Sequence, residues 1–172
     1  MLKALGAGMV VLAGSLAGFQ IGDLYKRRPR ELKALAGALL LLQTEISYAA
    51  VPLGEALITV ARRAGAEVAP FFRAAAAHLD AGAGLTAAEA WERAVDGVAP
   101  AMALREEDFG TLRDLGAALG SSDREDQVRH IALALERLKA AVASAEEDAR
   151  RYVRLYHFLG FGAGLGLAII LC

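Results

Sequence analysis

The stretch from Leu112 to Leu138 constrains the fold more than any other part of the chain, because it combines a helix end, a tight turn and the start of a longer helix. Gly120 is placed to end the first helix at a position that requires positive φ. Ser122 and Glu125 have the spacing of a capping box, in which each side chain accepts a hydrogen bond from the other residue's backbone N–H. The pattern therefore predicts two helices joined by a turn at residues 120–122.

The helix after this turn carries one apolar seam with no Gly or Pro inside it. Its members recur at steps of three and four residues: Val128, Ile131, Leu135, Leu138, Val142, Ala145, Ala149 and Tyr152. Such a repeat is typical of a long amphipathic helix. The seam leads directly into an apolar C-terminal stretch, so we expect one helix to continue from a soluble domain into a membrane span.

Two uncharged apolar stretches lie near the ends of the chain. Residues 4–22 and 155–172 are each close to the roughly 20 residues that a helix needs to cross a bilayer. Basic clusters flank them on the side of the central region: Lys26, Arg27, Arg28 and Arg30 after the first, and Arg150, Arg151 and Arg154 before the second.

Basic residues beside membrane spans tend to stay in the cytoplasm. The two clusters therefore predict a transmembrane anchor at residues 1–22, a cytoplasmic domain at 23–154 and a transmembrane helix at 155–172, with both termini outside the cytoplasm. A cleaved signal peptide is the alternative for the first stretch, but the basic cluster directly after it favours an anchor.

Both apolar stretches contain glycines four residues apart, a spacing that lets membrane helices approach closely. These candidates for membrane-helix packing are Gly14, Gly18, Gly22, Gly160 and Gly164. Such faces would also suit a homo-oligomer. The alternative is that glycine is simply frequent in this composition.

The central region has helical periodicity throughout and no alternation typical of strands. Pro29 suits the first turn of a helix whose inward face is Leu32, Leu35, Leu39, Leu42 and Ile46, widened by Leu40 and Leu41. Pro52, Pro100 and several glycines separate further helices, and Thr86 and Glu89 form a second capping box. The prediction is an all-α protein: a six-helix cytoplasmic bundle flanked by two transmembrane helices, the last soluble helix being continuous with the second span.

The sequence contains no P-loop motif, no H-E-x-x-H and no C-x-x-C, and Cys172 is its only cysteine. The formal net charge of −1 gives no overall attraction to nucleic acid. We therefore predict no enzymatic activity, no catalytic residue, no metal site, no cofactor and no nucleic-acid partner. A hydrolase that uses His130 with Asp126, one turn earlier, is the enzymatic alternative.

Two groups of polar residues are candidates for binding a partner. Arg124, Gln127 and His130 recur every three residues beside the seam of the long helix. The basic linker of Arg27, Arg28 and Arg30 is expected at the membrane surface, where it suits an acidic partner or anionic lipid. The alternative for Arg124 and Gln127 is that they tie the long helix to its own domain.

Several motifs together resemble the stage III sporulation protein AB family over nearly the whole chain. They are Met1-Leu2-Lys3, Arg28-Pro29-Arg30, Glu45-Ile46-x-Tyr48, Pro52-Leu53-x-Glu55-Ala56, Ala90-Trp91, Leu119-Gly120-x-x-Asp123-Arg124-x-x-Gln127-x-x-His130-Ile131 and Leu159-Gly160-Phe161. Ala49-Ala50 stands where the family tends to carry Gly-His.

The resemblance implies a role in the channel that endospore-forming bacteria assemble between mother cell and forespore. It implies a six-helix domain similar to the cytoplasmic domain of the F-type platform proteins of type II secretion and type IV pilus machines. The implied partners are a cytoplasmic sporulation ATPase, stage III sporulation protein AA, and other channel subunits. The implied location is the cell membrane on the mother-cell side, the outer forespore membrane. A membrane scaffold or signalling protein without a motor partner remains the alternative.

Overall fold

The computed structural model describes residues 26–49, 51–81, 84–121 and 123–171, with backbone alone for residues 121 and 153–171. The first described helix, α1, covers residues 26–44 and runs into a π-helical turn, Glu45–Ala49. The later elements are α2 (Leu53–Arg63), α3 (Ala69–Asp80), α4 (Ala87–Val98), a 3₁₀ turn (Ala99–Ala101), α5 (Glu106–Ser121) and α6 (Arg124–Leu171). The described residues thus form six α-helices and no strand, which confirms the all-α, six-helix prediction.

The chain divides into two compact units, of which Arg30–Val142 is the larger. Within it, α2 packs on α3, α3 on α4 and α4 on α5. α1 contacts α6 through Gln43, whose Nε2 donates a hydrogen bond to the carbonyl of Val128 at 3.3 Å. Of the other unit, the structure describes residues 26–29 and 143–171.

Most positions that the periodicity places inward are buried. In α1, Leu32, Leu35, Leu39, Leu42 and Ile46 form one continuous buried face. Leu40 is the exception: the prediction that it widens this face is wrong, because 56% of its surface is exposed. Each residue of an α-helix is rotated about the axis by about 100° from the residue before it. This rotation places Leu40 beyond the edge of the buried face, on the solvent side. Pro29 lies within α1, and residues 26–28 before it are also helical.

Trp91 of α4 lies at the centre of the larger unit. Its ring makes edge-to-face contacts with Phe71 and Phe72 of α3, at centroid distances of 4.8 and 6.0 Å. Its indole Nε1 donates a buried hydrogen bond to the carbonyl of Leu112 in α5 at 2.7 Å. The ring can approach α5 because residue 116 is glycine: a Cβ there would lie 2.3 Å from Trp91 Cδ1.

Two buried carboxylates hold the segment that leads into α5. Glu31 of α1 accepts a hydrogen bond from the backbone N–H of Ala103 at 2.6 Å. Asp108 accepts one from the N–H of Arg105, the residue before the helix, at 2.8 Å. Each carboxylate binds a backbone donor that lies outside a regular helix, and the start of α5 is thereby tied to α1.

The predicted capping box at the start of α4 is present. Thr86 Oγ1 accepts a hydrogen bond from the N–H of Glu89 at 3.2 Å, and Glu89 Oε2 accepts one from the N–H of Thr86 at 2.8 Å. The hydrogen bonds from the backbone and hydroxyl of Thr86 hold the pKa of Glu89 below its usual value. Both donors at this helix start are satisfied without any other part of the fold.

Gly120 does not end α5 as predicted. It lies inside the helix, which continues to Ser121, and the described glycine with positive φ is Gly84, at 68°. A Cβ on Gly120 would lie 2.8 Å from the backbone nitrogen of Ala88, in the first turn of α4. The glycine is thus required by the close approach of two helices rather than by its backbone angles.

The membrane predictions fall where the structure provides no test. Among the residues whose side chains it describes, no helix is both long enough and apolar enough to span a bilayer. The predicted spans at residues 4–22 and 155–172 lie outside those residues. So do the candidate packing glycines Gly14, Gly18, Gly22, Gly160 and Gly164, although the backbone of α6 is helical as far as Leu171.

Gly116→Ala should destabilise the protein by about 1–3 kcal/mol, since its methyl group would overlap the Trp91 ring. Gly110→Ala is the matched control in the same helix, because a Cβ there meets nothing within 4 Å. It should stabilise by about 0.5–1 kcal/mol through helix propensity. Denaturant unfolding followed by the fluorescence of Trp91, the single tryptophan, measures both. Equal effects of the two variants would contradict this description of the core.

Candidate functional site

The turn between α5 and α6 lies one residue later than predicted. α6 begins at Arg124, so Asp123 occupies the N-cap, and its Oδ1 accepts a hydrogen bond from the N–H of Asp126 at 2.9 Å. Ser122 lies outside the described residues, so its capping box with Glu125 stays a prediction; Glu125 itself is an exposed second residue of α6. The shift has a simple cause: α5 continues through Gly120, and Asp caps a helix as well as Ser does.

Gln127 belongs to the fold. Its Nε2 donates a hydrogen bond to the carbonyl of Leu119 at 3.1 Å. That carbonyl is in the last turn of α5, where carbonyls lack the usual partner within the helix. Gln127 therefore joins the end of α5 to the start of α6, and the structure supports the alternative that this residue ties the long helix to its own domain.

The predicted polar stripe does not form one face. A step of three residues turns by about 300°, so each member is displaced by about 60° around the helix from the one before. Arg124 is exposed at the helix start, Gln127 faces the end of α5, and His130 is half-buried. Of the three residues, Arg124 is the one whose side chain is exposed to solvent, at the N-terminus of α6.

His130 lines a cleft between α5 and α6 with a volume of about 360 Å³. We call it the α5–α6 cleft; its walls include Thr111, Asp114, Leu115, His130, Leu133 and Arg137. Leu133 is 54% exposed, although it is a large aliphatic residue. Arg137 Nη1 of α6 pairs with Asp114 Oδ2 of α5 at 2.7 Å, so opposite charges frame an apolar opening.

The surroundings of His130 do not favour the hydrolase alternative. Asp126, the carboxylate that would orient the imidazole, forms an ion pair with Arg129. In the described part of the chain, no hydrogen bond joins His130 to Asp126 and no group of three metal-ligating side chains is close enough to hold an ion. What the cleft offers is an apolar surface with a charged rim, which suits a protein side chain.

The basic linker is helical, and its three arginines differ. Arg27 and Arg30 are exposed, but Arg28 is buried, with 9% of its surface accessible. Because residues 26–30 belong to α1, Arg28 shares the helix face of Leu32 and Leu35, four and seven residues later. Arg28 is therefore a weaker candidate for binding a partner than Arg27 and Arg30.

Sequence reasoning missed Leu133 and the pair of Arg137 with Asp114. Leu133 falls between the seam positions Ile131 and Leu135, and that offset was a signal that it faces away from the core. The partner of Arg137 is 23 residues earlier, in α5. No spacing rule within one helix reveals a partner on the neighbouring helix.

Comparison with known proteins agrees with the resemblance in the sequence. The sequence model of the stage III sporulation protein AB family matches residues 3–172. Stage III sporulation protein AB of Bacillus subtilis (strain 168) is 36% identical over 171 residues, which cover 99% of each chain. A solved structure of stage III sporulation protein AB (SpoIIIAB) has a TM-score of 0.67 and 35% identity, and the match covers 72% of this chain and 97% of that one.

Gln127→Leu should lower the free energy of unfolding by about 1 kcal/mol, because the carbonyl of Leu119 loses its partner. Arg124→Ala, three residues away on an exposed position, should change it by less than about 0.5 kcal/mol. Denaturant unfolding of both full-length variants, followed by Trp91 fluorescence, measures the difference. A larger loss for Arg124→Ala than for Gln127→Leu would reverse the roles assigned here.

Proposed function

This chain belongs to the stage III sporulation protein AB family, and we propose that it acts in sporulation as a non-enzymatic membrane platform that presents the α5–α6 cleft to a cytoplasmic ATPase. The observation that carries the proposal is Leu133, a large aliphatic residue left more than half exposed over an apolar cleft. Burying such a side chain against a partner gains about 25 cal/mol for each Å² of apolar surface.

The rim of the cleft supports binding of a specific partner. Asp114 and Arg137 place both signs of charge beside Leu133. An apolar centre with a polar rim is the usual anatomy of a protein interface, in which the charges set orientation more than affinity. The exposed Arg124, at the start of α6, is a second candidate for contact with the partner.

The membrane part of the proposal rests on the two apolar stretches and their basic flanks. In this proposal residues 23–154 lie in the cytoplasm, both termini lie outside it, and the protein occupies the mother-cell side of the outer forespore membrane. The exposed Arg27 and Arg30 would then lie near anionic lipid. The helical conformation of α6 as far as Leu171 is consistent with a helix that enters the bilayer.

The proposed motor is the sporulation ATPase, stage III sporulation protein AA, and the platform would also contact other channel subunits. The similarity of the family to F-type platform proteins supports this choice of partner. The second candidate function is a membrane scaffold or signalling protein without a motor. Co-purification of the full chain with the ATPase distinguishes the two functions, because only a platform should retain the ATPase.

Leu133→Asp and Arg124→Glu should each weaken binding of the ATPase by about tenfold or more, equivalent to about 1.4 kcal/mol, and reduce spore formation. Stability should stay within about 0.5 kcal/mol of the wild type, since both side chains are on the surface. The measurements are affinity for the purified ATPase and unfolding of the full chain in detergent. Ile58→Asp, on the exposed side of α2, is the control and should leave binding intact. Unchanged affinity in both test variants would refute the assignment of this surface.

Labelling of Cys172 tests the proposed topology, because it is the only cysteine. An impermeant thiol reagent should modify it in intact cells. As a control, Glu147→Cys in a Cys172→Ser background places a thiol on an exposed position of α6 within the proposed cytoplasmic part, and it should react only after lysis. The opposite pattern would place the helical domain outside the cytoplasm.

A further inference from the structure

The solvent side of α1 carries a continuous exposed surface, of which the proposed platform role uses only Arg30. Its members are separated by three or four residues and all are exposed: Arg30, Lys33, Gly37, Leu40, Thr44 and Tyr48. We call this set the α1 stripe. It lies wholly within the unit Arg30–Val142 and on the side of α1 opposite the buried leucines.

One end of the stripe is apolar. Leu40 and Tyr48 are 56% and 87% exposed, and they are two of the four large hydrophobic residues that the described chain leaves exposed. In a regular α-helix, Tyr48 would be rotated by about 80° from Leu40. The π-helical turn Glu45–Ala49 advances by a smaller angle per residue and brings Tyr48 back towards the line of Leu40. Thr44 lies between them, and its hydroxyl donates a hydrogen bond to the backbone carbonyl of Leu40 at 2.9 Å.

Gly37 creates a notch beside Leu40. A Cβ at this position would meet nothing within 4 Å, so no contact within the described part of the chain requires glycine there. Glycine in the interior of a helix destabilises it relative to alanine. A small residue between large ones lets the backbone of another helix approach closely, and steps of three and four residues form the ridges and grooves into which a second helix packs.

The other end of the stripe is basic, with Arg30 and Lys33 one turn apart. We propose that the α1 stripe docks an α-helix of a partner protein that carries acidic residues at one end. The acidic end would lie over Arg30 and Lys33, and the apolar face of the partner helix would cross Gly37 and cover Leu40 and Tyr48. A second copy of this chain in parallel orientation fits poorly, because its Arg30 and Lys33 would meet the same charges.

The first experiment separates docking from folding. Gly37→Ala in the full chain should raise the melting temperature and yet reduce the yield of heat-resistant spores, because the methyl group fills the notch. Gly110→Ala is the matched control, being equally open and in another helix. It should raise the melting temperature and leave spore yield unchanged. A Gly37→Ala protein with unchanged spore yield, or with lower melting temperature, would overturn the role of the notch.

The second experiment identifies the occupant. A photo-crosslinking residue, benzoylphenylalanine, is placed at position 40 of the full chain in sporulating cells, with position 58 as the control site. The expected crosslink joins position 40 to a helix of a different protein, within two turns of an Asp or Glu. Replacing that acidic residue by Lys should then restore spore yield to an Arg30→Glu, Lys33→Glu double variant.

Three outcomes would overturn the proposal. They are a crosslink to another copy of this chain, a crosslink to lipid or to no protein, and failure of the charge exchange to restore spore yield. None of them bears on the α5–α6 cleft, because neither experiment changes Leu133 or any other residue of that cleft. Conversely, loss of the cleft assignment would leave the α1 stripe intact.

Discussion

The hydrogen bond from the indole of Trp91 to the carbonyl of Leu112 is the contact on which the rest of the larger unit depends. It fixes α4 against α5 in a buried environment, where an unpaired indole N–H or carbonyl would be costly. The same ring packs edge-to-face on Phe71 and Phe72, so one side chain joins three consecutive helices. Gly116 makes this possible by removing the side chain that would keep the ring away from α5.

The position of α5 in turn determines where the α5–α6 cleft lies. Its final turn approaches the start of α4 at Gly120, and its carbonyl at Leu119 receives Gln127 of α6. With that end fixed, α6 runs beside α5 and the two helices leave the α5–α6 cleft between them. The exposed Leu133 thus lies on a helix whose start is tied to the end of α5, and such preorganisation would lower the entropy lost in the proposed binding.

Periodicity predicted the elements well, because most of the stability of a helix in a protein comes from burying one face. The buried positions of α1 and α5 and the capping box at Thr86 follow from local spacing. The errors have a different origin. Gly120 is explained by the backbone of α4, and Leu40 is exposed because the packing face is narrower than its apolar neighbours suggest. Each depends on how separate helices meet, which spacing along one helix does not contain.

The polar side chains fall into two groups: those that bind backbone groups and those that bind another charged side chain. Four side chains that fix the architecture bind backbone groups of another helix or of the segment before α5: Trp91, Gln127, Gln43 and Glu31. Exposed charges such as Arg137 and Asp114 bind each other at the surface, where such a pair contributes about 0–1 kcal/mol. Substitution of these surface charges therefore lowers the stability of the fold little, so the charges can vary to suit a partner. The α1 stripe lies outside the core as well: its leucine and tyrosine are more than half exposed, and a Cβ on its glycine would meet nothing within 4 Å.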